Sequence, residues 1–207
     1  MPETKPTRPA PTWRFAPIIL AGFAVILLVA AGAIWFFGAP APLQQAAAIG
    51  GPFSLTDGAG KPVTDKTYRG KYMLVYFGYT FCPDVCPTTL NDVAQAIDKI
   101  GPVADKLQPL FITIDPARDT PDVIRQYAAA FSPKLQGLTG TAAQIADVAK
   151  EYRVYYASHK TGPGPGDYTM DHSSILYVMD PSGHFAGVIR ADEGPDAIAA
   201  DLKKIVS

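Results

Sequence analysis

Hydrophobic positions change spacing several times along this chain, and each change marks an element. From Phe15 to Thr56 no residue is charged, and Pro17–Phe37 (PIILAGFAVILLVAAGAIWFF) has no polar face. At the helical rise these 21 residues reach roughly 31 Å, about the thickness of a bilayer's hydrocarbon core. Trp13 and Trp35 fall near the two ends, where aromatic rings favour the interfaces. A buried core helix would keep a polar stripe. A cleaved signal peptide would have an apolar run of about 7–15 residues, and Ala39-Pro40-Ala41 is only loosely like a cleavage site, with Pro42 behind it. The pattern predicts an uncleaved transmembrane helix over 17–37. Lys5, Arg8 and Arg14 precede it and no cation follows before Lys61, so residues 1–16 are expected in the cytoplasm and everything beyond the span outside. Residues 38–50 (GAPAPLQQAAAIG) read as a semi-extended tether on the outer, periplasmic side.

Beyond residue 50 the spacing becomes that of a folded domain, 51–207. Phe53–Thr56 and Pro62–Thr64 flank Asp57-Gly-Ala-Gly60, a hairpin signal. Met73–Phe77, Leu110–Ile114 and Ser174–Met179 are continuous apolar runs fit for buried strands. Leu90, Val93, Ala94 and Ile97 recur at helical spacing. Thr120 reads as an N-cap with Pro121 at the first helical position, before Ile124, Tyr127, Ala128 and Phe131. Thr141 and Gln144 form a capping box ahead of Ile145, Val148, Ala149 and Tyr152. Val154–Ala157 reads as a short strand, Thr161–Gly166 (TGPGPG) as a flexible loop, His184–Ile189 as a strand after a turn, and Ile198, Leu202 and Ile205 as a last helix. The order is a hairpin, βαβα, a third helix, a second hairpin and a helix. This is a thioredoxin-like α/β layout with added hairpins.

Composition narrows the function classes. The chain has 207 residues, 18% charged and 48% hydrophobic, which is neither a disordered nor a nucleic-acid-binding balance. Two cysteines exclude a disulfide-rich scaffold and any four-cysteine metal or iron–sulfur site within one chain. Those two lie in Phe81-Cys82-Pro83-Asp84-Val85-Cys86-Pro87, between the first buried strand and its helix. In open α/β sheets, ligands bind at that carboxyl end. Cys86 and Pro87 fall at the helix start, where free N–H groups and the helix dipole favour thiolate. Residues four apart on a helix stack within reach of a disulfide, and equally of one metal ion. The pair is therefore a clip or a disulfide, and a third group decides. Of three histidines, His159 and His184 read as surface residues. His172, in Asp171-His172-Ser173-Ser174 before a buried strand, is either a satisfied structural residue or a third ligand. Asp84 lies between the cysteines, and Asp115, Arg118 and Asp119 follow the neighbouring strand at the same sheet end, where they would tune the thiolates or form a docking rim for a redox partner; the simpler reading makes Asp119-Thr120-Pro121 a helix start and Asp115-Pro116 a turn. Tyr79 and Phe81 shield the site or pack the core.

An ordered set of motifs then adds to these readings. Gly51–Asp57 (GPFSLTD), Leu74–Thr88 (LVYFGYTFCPDVCPT), Phe111–Pro121 (FITIDPARDTP), Gly137–Gly140 (GLTG) and Asp171–Pro181 (DHSSILYVMDP) together resemble the Sco/SenC family, the membrane-anchored copper proteins of cytochrome c oxidase assembly. The resemblance runs from about Gly50 to Ile205, with no departure at a key position. It implies that Cys82, Cys86 and His172 bind one copper ion. It also implies a metallochaperone, not an enzyme in the turnover sense, that delivers copper to the binuclear copper site of cytochrome c oxidase subunit II. Two thiolates and an imidazole suit Cu(I), and the imidazole makes Cu(II) tolerable; zinc accepts the same set with a water added.

The competing class is a thiol–disulfide oxidoreductase that reduces the cysteines of that oxidase site. The spacing is not C-x-x-C, and no proline precedes the Ser174 strand where such enzymes place a cis-proline. A peroxidase would use Thr80-x-Cys82. A purely structural disulfide would close too short a loop to matter. Expected partners are the oxidase subunit, other periplasmic copper chaperones or thiol reductants, and the bacterial inner membrane through residues 17–37; nucleic acid is not expected.

Overall fold

The computed structural model describes residues 21–22, 25–29, 31–33 and 49–206. The chain divides into a unit of residues 1–47 and a unit of residues 48–207. Described residues of the first unit are helical and exposed. The expected span 17–37 lies largely outside the described residues, as do segment 1–16 and most of 38–50. Among the described residues no helix is long and apolar enough to cross a membrane.

The second unit is built on a mixed sheet of seven strands. In chain order the elements are β1 (Ser54–Asp57), β2 (Pro62–Thr64), β3 (Tyr72–Gly78), α1 (Val85–Lys99), β4 (Leu107–Thr113), α2 (Pro121–Phe131), β5 (Gln136–Thr139), α3 (Ala142–Glu151), β6 (Tyr156–Lys160), β7 (Tyr168–His172), β8 (Ile175–Met179), β9 (Phe185–Arg190) and α4 (Pro195–Val206). The strand order is β2-β1-β5-β4-β3-β8-β9, while β6 and β7 pair with each other in a separate two-stranded sheet. This is the expected thioredoxin-like α/β layout. Ile49 packs against the core and Gly50 N–H donates to Glu151 O (2.8 Å), so the folded unit takes in the last two residues of the expected tether.

β3 and β4 are parallel neighbours at the centre, paired from Tyr72 opposite Leu107 to Gly78 opposite Thr113. Met73–Gly78 and Pro109–Thr113 are buried without alternation, as a strand covered on both faces must be. α1 buries Cys86, Thr89, Leu90, Val93, Ala96 and Ile97 and packs against α4. The expected face included Ala94, which is only half-buried; Ala96 takes its place. The helix starts read from the sequence are present. Thr120 Oγ1 accepts from Val123 N–H (3.4 Å) with Pro121 behind it, and Thr141 and Gln144 close a capping box.

Three strands differ from expectation: the sequence pattern predicts neither β5 nor β7 (Tyr168–His172), and β6 is shifted. β5 is only four residues long and contains a glycine, so it carries no period. A Cβ at Gly137 would lie 2.6 Å from the Ile124 carbonyl oxygen, so glycine is what lets α2 settle on the strand. The strand read at Val154–Ala157 instead runs Tyr156–Lys160, because it pairs with β7, from Tyr156 opposite His172 to Lys160 opposite Tyr168. The Gly/Pro segment 161–166 is the tip of that hairpin. It is closed by Thr161 N–H donating to Asp167 O (2.8 Å) and Gly164 N–H donating to the Asp167 carboxylate (2.8 Å).

Candidate metal centre

Three segments converge at the carboxyl end of β3 and β4: the loop 79–84, the loop 114–120, and the end of β7. β3 ends on Gly78, and residue 78 is a glycine for a steric reason. A Cβ there would sit 2.8 Å from Cys86 Sγ and 2.8 Å from the Phe111 ring. The missing side chain is the space the sulfur occupies.

Cys86 is the second residue of α1 and is fully buried; Cys82 lies in the loop before it and is partly exposed. Both thiols are free. The Cys86 N–H, one of the donors a helix start leaves without a helical partner, donates to Cys82 Sγ (3.3 Å). The Asp84 side chain does not cap the helix. Burial, with the neighbouring Cys82 adding to it, pushes the Cys86 thiol up to about 12. This corrects the expectation drawn from the helix dipole: at this position desolvation outweighs the dipole, and without a metal Cys86 is a thiol.

His172 ends β7 and brings its ring to the cysteines from 86 residues away. Nε2 lies 3.3 Å from Cys86 Sγ. Nδ1 lies 3.2 Å from the Ser173 carbonyl oxygen, which can only accept, so Nδ1 carries the proton and Nε2 the lone pair. Burial holds the ring's pKa below the ordinary histidine value, so it is neutral at pH 7. The Cys86 S–H therefore donates to Nε2, a neutral pair and not an ion pair. Tyr76 and Tyr79 set their rings edge-on to the imidazole at 6.0 and 6.1 Å, and Tyr76 Oη stands 3.9 Å from Cys86 Sγ.

The donor atoms of Cys82, Cys86 and His172 all lie within 4.8 Å of one another. Donors bonded to one ion at about 2.0–2.3 Å stand about 3.5–4 Å apart in a trigonal plane, so the three can close on one ion with small adjustments. The set is soft, two sulfurs and a neutral imidazole, and suits copper better than a hard cation. It opens on a cavity of about 390 Å³ that also touches Pro83, Val85, Met170 and Ser174.

The other residues singled out in the sequence separate clearly. Tyr79 is buried against His172, whereas Phe81 is exposed. His159 pairs with Asp171 on the hairpin surface (2.9 Å), and His184 is exposed at a turn. Asp115, Arg118 and Asp119 do more than make turns, which corrects the simpler reading. The buried Asp119 carboxylate accepts from Thr80 N–H (3.1 Å), Thr80 Oγ1 (2.5 Å) and Thr113 Oγ1 (2.6 Å), pinning the cysteine loop to the end of β4. Nothing local signals that contact, because Thr80 and Asp119 are 39 residues apart.

The family model described as SCO1/SenC matches residues 41–207. The chain belongs to the SCO1/SenC family. It is 46% identical over 160 residues to the human mitochondrial protein SCO1 homolog, a match covering 74% of this chain and 52% of that one. Against Sco1 of Schizosaccharomyces pombe it is 43% identical, covering 76% and 59%. It thus spans about half the length of these curated SCO1 relatives. Among solved structures it is similar to Bradyrhizobium japonicum ScoI with copper bound, at 48% identity and a TM-score of 0.70, covering 76% of this chain and 99% of that one. Yeast Sco1 with copper bound matches at 37% identity and a TM-score of 0.71, covering 77% and 88%.

Proposed function

We propose that this SCO1/SenC chain holds one copper ion, Cu(I) or Cu(II), between Cys82 Sγ, Cys86 Sγ and His172 Nε2, and passes it to the binuclear copper site of cytochrome c oxidase subunit II. Convergence carries this reading. Two sulfurs and a neutral imidazole nitrogen, delivered by separate elements, lie within 4.8 Å of one another. Relatives at 48% and 37% identity are known with copper bound. A site of three ligands is open to attack by an acceptor's own thiols, as a carrier requires. Residues 17–37 are the proposed single-pass anchor in a bacterial inner membrane, with the folded unit in the periplasm, where other copper chaperones load it and thiol reductants keep it loadable.

The test uses the reduced full-length chain. Wild type should take up one Cu(I). Losing a partner behind a ligand typically costs about 10–100-fold in affinity, so His172→Ala, which removes a ligand, should weaken retention at least that much in a chelator competition while leaving the fold intact. Equal retention by the two would reject the ligand set. Mixing the loaded chain with a reduced subunit II fragment should move copper to the fragment.

The unequal exposure of the two sulfurs favours a second reading, thiol–disulfide exchange with the same partner. Cys82 is open to attack or to attacking, and Cys86 waits behind it as the resolving thiol. Reduction of an oxidised fragment by the metal-free chain would support it. Copper transfer to a fragment already reduced keeps the carrier reading apart from it.

A further inference from the structure

His172 stands on a hairpin that shares no strand ladder with the seven-stranded sheet, since β6 and β7 pair only with each other. Ser173 and Ser174 join it to β8 of that sheet, so the chain brings His172 near the cysteines, and contacts other than strand pairing set how β7 lies against their loop. We propose that Arg118 is the positioning residue that holds His172 against the two sulfurs, by clamping β7 onto the loops at the end of β3 and β4. The ligand role of His172 in this proposal rests on the copper reading above.

Three groups of contacts carry it. Arg118 Nη1 donates to the carbonyl oxygens of Tyr168 (3.1 Å) and Gly166 (3.4 Å), the backbone that leads into β7. Its guanidinium carbon lies 3.7 Å from the centre of the Tyr168 ring and 4.7 Å from that of Phe81, so the plane sits between hairpin and cysteine loop. Asp115 closes the clamp from the β4 side: one carboxylate oxygen accepts from Arg118 Nε and the other from Tyr168 Oη (2.7 Å).

Tyr168 is four residues before His172 on β7, so the two side chains share a face of the strand. The clamp grips the face that presents the imidazole. The Tyr79 hydroxyl oxygen adds a second tie from the cysteine loop to β7, accepting from Met170 N–H, and it stays in place in all three variants below. Ser173 N–H donates to Tyr155 O (3.2 Å) at the hairpin's own base, and the Tyr76 and Tyr79 rings orient the imidazole once it has arrived. Lysine cannot replace this residue, because the contacts use a flat fork with donors on two edges and a stacking face.

The experiment compares wild type with Arg118→Met, Arg118→Lys and Tyr168→Leu in the reduced full-length chain. Without metal, hydrogen exchange of the amides from Tyr168 to His172 should quicken at least about tenfold in all three, with β3 and β4 unchanged. With copper, X-ray absorption should show the nitrogen contribution diminished. Affinity should fall toward that of His172→Ala, and Arg118→Met combined with His172→Ala should be no weaker than His172→Ala alone. Tyr168→Leu keeps the Arg118–Asp115 pair and serves if Arg118→Met fails to fold. Unchanged exchange in β7, or losses that add in the double variant, would overturn the proposal. A wild type that binds no copper would sink the copper reading instead, and the metal-free exchange comparison would still decide whether the clamp exists.

Discussion

The two halves of the ligand set are held in opposite ways. Cys82 and Cys86 sit on the central scaffold. β3 leads into their loop, Asp119 pins Thr80 beside it, and α1 buries Cys86 against the sheet. His172 arrives on a two-stranded hairpin that runs into β8 through Ser173 and Ser174 and pairs no strand with that scaffold. A carrier must bind its ion and also surrender it, and the difference divides those tasks. The fixed sulfurs define a place, and the outlying imidazole completes it. Opening costs local contacts of the hairpin and no strand pairing of the core, which is where low-energy openings of a fold are found.

The comparison breaks most completely on the fixed side. Cys86→Ser replaces a buried soft donor with a hard one and should weaken Cu(I) retention by at least about a thousandfold, roughly 4 kcal/mol, a far larger loss than from His172→Ala. Losses of equal size, read by the same chelator competition, would mean that the two halves are not distinct. Gly78→Ala comes next. Its Cβ would push on Cys86 Sγ and the Phe111 ring, and overpacking of this kind should cost about 1–3 kcal/mol in denaturant unfolding of the metal-free chain. The push reaches β7 only through the contact of Cys86 Sγ with His172 Nε2 (3.3 Å), so exchange of the β7 amides at low denaturant should change far less than that of β3 and α1.

The smallest effect sharpens the comparison by pH. Cys86 is a thiol at neutral pH because burial raises it, so copper must displace its proton. His172 is already neutral, because burial lowers it, and releases none. Apparent Cu(I) affinity should therefore rise with pH, about tenfold per unit from the Cys86 proton alone, between about pH 7 and 9. Competition measured at three pH values checks the sign. Affinity that is flat or falling over that window would contradict a protonated Cys86.

The same division explains what was legible in the chain. The scaffold half announces itself locally. β3 and β4 are unbroken apolar runs, Thr120-Pro121 and the Thr141/Gln144 box mark helix starts, and the cysteines follow a buried strand where open sheets bind ligands. The hairpin half is legible only through motifs. β7 (Tyr-Thr-Met-Asp-His) alternates, with Tyr168, Met170 and His172 half-buried and Thr169 and Asp171 exposed, but the run is short and only weakly apolar, and beside the Gly/Pro segment it does not stand out as a strand. On its residues alone His172 remained one of two things; the ordered motif set made the difference. The dipole argument for Cys86 misled because the depth of its sulfur depends on an absent side chain at Gly78. The contacts of Asp119 and Arg118 reach 39 and 50 residues along the chain, beyond any local signal.

Because β6 and β7 satisfy each other, the hairpin's tip is bounded by its own closure at Thr161, Gly164 and Asp167. Residues inserted there lengthen an arm without disturbing any pairing of the large sheet. How far the molecule reaches toward whatever it meets is then adjustable by descent or by engineering, separately from how tightly it grips.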